Sequence, residues 1–244
     1  MQKATILTGI LAILLSFFSY AYAYEIIEVK NGGSIEGVVE YSGAAVPKDP
    51  MVTLTSETEH CGKSLPALKY LIKNRKVKNA VVYLASIDAG KAVPDQSVVV
   101  TNRKCTFEPH VAVGFKGNRF IAKNDDPVFH QFDIHAAIGG AEVYSVGLHE
   151  QGSSVTKILP KTGLMELTCY VHPWMRAYVY IFDHPYAAVT DDQGGFVMKD
   201  IPPGTYTVKV WHEALGVDEI KNVKVESSKA SIIRIIYTHE VKLE

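Results

Sequence analysis

Between Ser34 and Tyr237 the chain is a succession of short runs rich in β-branched residues and tyrosine. Glycine, proline, asparagine or aspartate breaks each one. No other feature limits the fold as much. Runs such as Ser34–Tyr41, Asn79–Ser86, Arg176–Phe182 and Ser231–Tyr237 have the length and residue types of strands. No stretch shows the three-to-four apolar spacing of an amphipathic helix; a turn near Pro66–Tyr70 comes nearest. The chain therefore reads as all-β. Thr190–Phe196 and Ile201–Tyr206 put Asp, Gly and Pro where tight turns need them, so Asp191 and Asp192 are read as solvated turn residues rather than Ca²⁺ ligands.

The first residues read as a leader. Lys3 is the positive end, Ile6 to Phe18 the apolar stretch, and Ala21-Tyr22-Ala23 a small-x-small cleavage site. Residues 1–23 are thus expected to be a signal peptide, which implies a periplasmic or extracellular protein. No later stretch is apolar and long enough to span a bilayer. The formal net charge of −1 loses only Lys3 on cleavage and so becomes −2. Near-neutral charge gives no footprint for nucleic acid.

Three cysteines, Cys61, Cys105 and Cys169, suit an exported chain with one disulfide and one thiol left over. The third lies in Cys169-Tyr170-Val171-His172-Pro173-Trp174-Met175, between strand-like runs at Leu164–Thr168 and Arg176–Phe182. A Cys at a strand end and a His in the following turn reach the same end of a sheet. Thiolate plus imidazole, with a thioether as a weak axial donor, is the donor set of a blue-copper site, and it needs a second His.

Strand parity supplies one. Val128, His130, Phe132 and Ile134 share a face, and Phe129, Gln131, Asp133 and His135 share the other. His130 is the second candidate ligand, and His135 lies on the polar side. Met165, Leu167 and Cys169 also share a face, so the thiol points inward, which a buried inert Cys would do too. Met175 has the parity of Ala177, Val179 and Ile181, and fits a core Met as well as an axial ligand. With Cys169 ligating, Cys61 and Cys105 are candidates for the disulfide. The alternative is a second metal set of His60, Cys61, Cys105 and His110.

The turn Asn124-Asp125-Asp126-Pro127 leading to His130, and Thr162-Gly163 before the strand ending in Cys169-x-x-His172, resemble the two ligand regions of a cupredoxin. The Cys-x-x-His-Pro-Trp-Met string is similar to a group of bacterial periplasmic cupredoxin-like proteins, many with a carboxypeptidase-regulatory-like module. Residues 98–183 carry this resemblance. Met175 lies nearer His172 than the axial Met does in plastocyanin-like proteins, a departure from their pattern at that one ligand. Thr190–Phe196 and Pro203–Tyr206 resemble the second half of that module, a small transthyretin-like sandwich. Ile35–Val39 and Ala80–Leu84 resemble its first half.

The resemblances imply a cupredoxin Greek-key sandwich inserted into a split transthyretin-like sandwich, with residues 24–97 as the first part and 184–244 as the second. They imply a mononuclear copper site of His130, Cys169, His172 and Met175. The expected function is electron transfer to or from a redox protein such as a c-type cytochrome, rather than an enzyme activity. A copper chaperone or store uses the same residues, and a metal-free adhesion sandwich is the third reading.

Overall fold

A computed structural model describes residues 23–238, so the expected leader falls outside the described residues except for Ala23. Among these residues nearly all regular structure is strand, and the one helix, Thr58–Cys61, is a single turn. Alternating side chains build two cores.

The middle of the chain forms the first sandwich. One sheet runs Thr106–Glu108, Val98–Arg103, Arg119–Asn124, Ser154–Ile158; the other runs Val111–Phe115, Arg176–Phe182, Gly163–Cys169, His130–Ala136, Glu142–Leu148. Val98–Arg103 pairs parallel with Arg119–Asn124, and Val111–Phe115 parallel with Arg176–Phe182. Parallel neighbours need crossover connections rather than hairpins. His130, Phe132, Ile134 and Ala136 alternate inward; Gln131, Asp133 and His135 are half-buried on the other face. Phe107 meets Phe132 across the sheets with ring centroids 4.8 Å apart. Each such fully buried large side chain contributes roughly 1.5–3 kcal/mol relative to exposure.

Strands from both ends of the chain form the second sandwich. Gly33–Tyr41 pairs parallel with Ala230–Tyr237 and antiparallel with Gly195–Ile201. Val81–Leu84 lies between Ala187–Val189 and Gly204–His212. Ile35, Leu84, Ile201, Val208 and Tyr237 fill the core between the two sheets. Neither segment has a partner for its apolar face without the other. At the 190–196 turn, Asp191 accepts from Gln193 N and Gly195 N, and Gly194 sits at φ 68°. Asp192 pairs with Lys78. Both carboxylates are thus occupied as turn residues.

One stretch of the 24–97 part packs elsewhere. Met51–Thr53 and Ser64–Pro66 pair antiparallel around the helical turn and form a strap. Its Leu54 and Cys61 are buried in the core of the first sandwich, with Leu65 against it. A Cys61–Cys105 disulfide ties the strap down. The two sandwiches meet through a smaller apolar cluster, in which Tyr83 packs on Phe182 at 4.9 Å and Tyr178 on Trp211 at 5.2 Å between centroids.

Candidate metal centre

Sheet register and one turn bring three of the four sequence-predicted ligands, His130, Cys169 and His172, together. His130 opens its strand, and Cys169 closes the neighbouring one opposite Phe132. The chain then turns through Tyr170–Met175, with Met175 N donating to His172 O at 2.9 Å. That turn folds the His172 ring back over Cys169. Cys169 Sγ lies 3.9 Å from His130 Nδ1 and 3.6 Å from His172 Nδ1, and the two Nδ1 atoms are 3.0 Å apart. His130, Cys169 and His172 are 0%, 3% and 2% exposed, so water cannot satisfy their donor atoms.

The orientation of His130 follows from its other nitrogen. Nε2 lies 3.0 Å from Asp126 Oδ2. A carboxylate only accepts, so Nε2 carries a proton, and Nδ1 is the nitrogen that faces Cys169 and His172. Asp126 is buried, and four groups donate to it: His130 Nε2, His60 Nε2 at 3.0 Å, Lys104 N at 2.7 Å and Cys105 N at 2.9 Å. Burial alone would raise its pKa, but these hydrogen bonds outweigh burial and hold it well below the usual carboxylate range. Lys104 and Cys105 form a two-residue hairpin turn, both in the left-handed region at φ 50° and 57°. Such turns favour Asn-Gly; here the carboxylate and the disulfide hold a Lys-Cys pair in that shape.

The thiol is shaped in the same way. Burial pushes Cys169 up, but hydrogen bonds from His130, His172 and the Gln131 N–H bring it down to about 6. Trp174 covers His172 with ring centroids 5.0 Å apart and donates from Nε1 to Cys105 O at 3.1 Å. Met175 is 2% exposed and belongs to the core that contains Cys169.

Three imidazole or thiol donors thus converge in a dry pocket. An ion about 2.0–2.3 Å from each donor in a trigonal arrangement would separate them by roughly 3.5–4 Å, close to the two sulfur–nitrogen spacings. The donor set and the two sulfur–nitrogen spacings fit a single soft or borderline ion, while the 3.0 Å between the imidazole nitrogens is shorter than a trigonal arrangement gives.

The alternative set of His60, Cys61, Cys105 and His110 does not assemble. His60, Cys105 and Asp126 do cluster, but both sulfurs are in the disulfide and the carboxylate is filled by its four donors. His110 pairs instead with Glu213, at the join of the two sandwiches. His135 is half-buried on the outer face, and His149 stacks on Phe129 at 4.5 Å. Sequence reasoning missed Asp126 and His60 as parts of this site. The one available signal was an acidic residue four positions before His130, inside the turn already singled out.

Comparison with known proteins gives partial matches. A family model described as polysaccharide lyase family 4, domain II, matches residues 161–232, less than half of the chain. No curated protein matches. Solved structures with similar parts include the Cu-containing nitrite reductase of Thermus scotoductus SA-01. It is 19% identical, with a TM-score of 0.34, over 41% of this chain and 25% of that one. Amicyanin from Paracoccus versutus is 18% identical over 41% of this chain and 97% of its own, with a TM-score of 0.31. A purple cupredoxin from Nitrosopumilus maritimus is 18% identical over 36% of this chain and all of its own, also at 0.31. The chain thus spans a quarter of the reductase and nearly all of the two smaller proteins. Among the described residues no helix is long and apolar enough to cross a membrane.

Proposed function

We propose that this chain is an exported mononuclear copper protein with a type-1 site, and that it carries single electrons. The supporting observation is the convergence of His130 Nδ1, His172 Nδ1 and Cys169 Sγ on one buried point. Two ring nitrogens facing each other at 3.0 Å beside a low-pKa thiol need a shared proton or a cation between them. Copper bound there supplies a one-electron couple, with thiolate favouring the cuprous state and imidazole tolerating both. Met175 is the axial candidate, being buried in the same core. The sandwich holds the donors in place through strand register, so little rearrangement accompanies a change of charge.

Burial favours this reading over its rivals. A chaperone or store must hand its ion to an acceptor, and donors at most 3% exposed offer no route for ligand exchange. An enzyme needs a coordination position that substrate can reach. Electron transfer needs neither. A redox protein such as a c-type cytochrome is the proposed partner. The strands at 33–41, 72–84 and 187–237 are proposed to form one carboxypeptidase-regulatory-like sandwich, with 98–183 inserted as the cupredoxin-like unit.

Voltammetry of the copper-loaded protein tests the choice between carrier and store. A reversible one-electron couple is expected. Copper that passes readily to a competing acceptor, with no reversible couple, would contradict it.

A further inference from the structure

We propose that Asp126 is a positioning residue for metal ligation by His130, and that the Met51–Pro66 strap completes the site by holding that carboxylate. The proposal rests on the copper reading and extends it to residues outside the ligand set.

Metal-ligating imidazoles depend on what their second nitrogen touches, because that contact fixes tautomer, ring orientation and basicity. Here the contact is a buried carboxylate that four groups donate to. Its negative charge is felt through the ring and favours the more positive state of a bound ion. His60 reaches the other oxygen of the same carboxylate from the strap, and its side chain is 33% exposed. A line of contacts therefore runs from the surface at His60, through Asp126, to the ring of His130.

Cys105 joins this line to the rest of the site. Its N–H donates to Asp126, its carbonyl accepts from Trp174 Nε1, and its sulfur is bonded to Cys61 of the strap. Trp174 in turn lies against His172. One residue thus ties the strap, the carboxylate and the ligand loop together. The strap is continuous in sequence with the second sandwich, so the surroundings of the metal ligands are shared between both halves of the protein.

The two side chains should act with opposite sign. Asp126→Asn keeps an acceptor for His130 but removes the charge. His60→Ala removes a donor that draws on the carboxylate, leaving more of its charge on His130. General loosening would move both variants the same way.

The test measures copper(II) and copper(I) affinity by chelator competition, and midpoint potential, for wild type, Asp126→Asn, His60→Ala and the double variant. Asp126→Asn is expected to weaken copper(II) binding by about 10- to 100-fold and copper(I) binding by less. Its potential then rises by about 59 mV for each tenfold difference between the two losses. His60→Ala is expected to lower the potential, and to change nothing further in the Asp126→Asn background. In the metal-free wild type, nitrogen NMR is expected to find a proton on His130 Nε2. Copper uptake with an unmoved potential in Asp126→Asn overturns this proposal alone. So does a His60→Ala shift that is upward or survives in the double variant, or a His130 Nε2 that carries no proton. Wild type that takes up no copper overturns the copper reading, and this proposal with it.

Discussion

Removing the Cys61–Cys105 disulfide gives the sharpest stability prediction. The crosslink spans 44 positions. Restricting a loop of that size in the unfolded chain is worth about 4 kcal/mol by loop-closure entropy at room temperature. Both sulfurs are buried, so Cys61→Ala with Cys105→Ala leaves the packing nearly apolar and adds no unsatisfied hydroxyl. The loss should fall on the first sandwich, because Leu54 and Cys61 belong to its core. The protein has two tryptophans, and they report separately. Trp174 donates to Cys105 O, and Trp211 lies in the cluster between the sandwiches. In a Trp211→Phe background, urea unfolding of the metal-free protein followed by Trp174 fluorescence should show a loss of about 3–5 kcal/mol. A loss below about 1 kcal/mol would refute the reasoning, since the strap would then be held by packing alone or the unfolded chain would already be compact.

Other expectations follow from the same geometry. Leu167, fully buried between the sheets of the first sandwich, should cost about 2–5 kcal/mol on Leu167→Ala in the same urea assay. In the metal-free protein the Cys169 thiol should titrate near pH 6 rather than in the ordinary thiol range, as read by ultraviolet thiolate absorbance. Its pKa is lower folded than unfolded, so between those values the unfolded chain binds more protons and metal-free stability should rise with pH. Burial, aided by nearby His110, lowers His212 from 6.5 to about 4. A buried neutral His must charge when the chain unfolds, so stability should fall as pH drops from 6.5 towards 4, and His212→Phe should flatten that fall in acid-titrated denaturation.

Strand parity made the core of the site legible. Val128 to His135 alternates in sequence, and the structure buries His130, Phe132 and Ile134 as that alternation demands. Cys169 and His172 are close in the chain, so a single turn fixes their meeting. Asp126 and His60 were not legible in the same way. They lie 66 positions apart and meet through a strap whose place on the first sandwich depends on long-range packing and a crosslink. Glu142–Leu148 and Ser154–Ile158 went unread for another reason. Both are edge strands, Ser154–Ile158 with no buried position and Glu142–Leu148 with only Val146 and Leu148 buried, so their apolar alternation is weak. The parallel pairing of Gly33–Tyr41 with Ala230–Tyr237 joins the two ends of the chain, and no local pattern encodes such a register.

The visible spectrum of the copper-loaded protein, taken beside that of Cys169→Ser, tests the central claim most directly. Wild type should bind one copper per chain and show intense absorption from sulfur-to-metal charge transfer, which Cys169→Ser lacks. A wild-type protein that holds copper without that absorption, or a Cys169→Ser protein that keeps it, would contradict the assignment of Cys169 as the ligand.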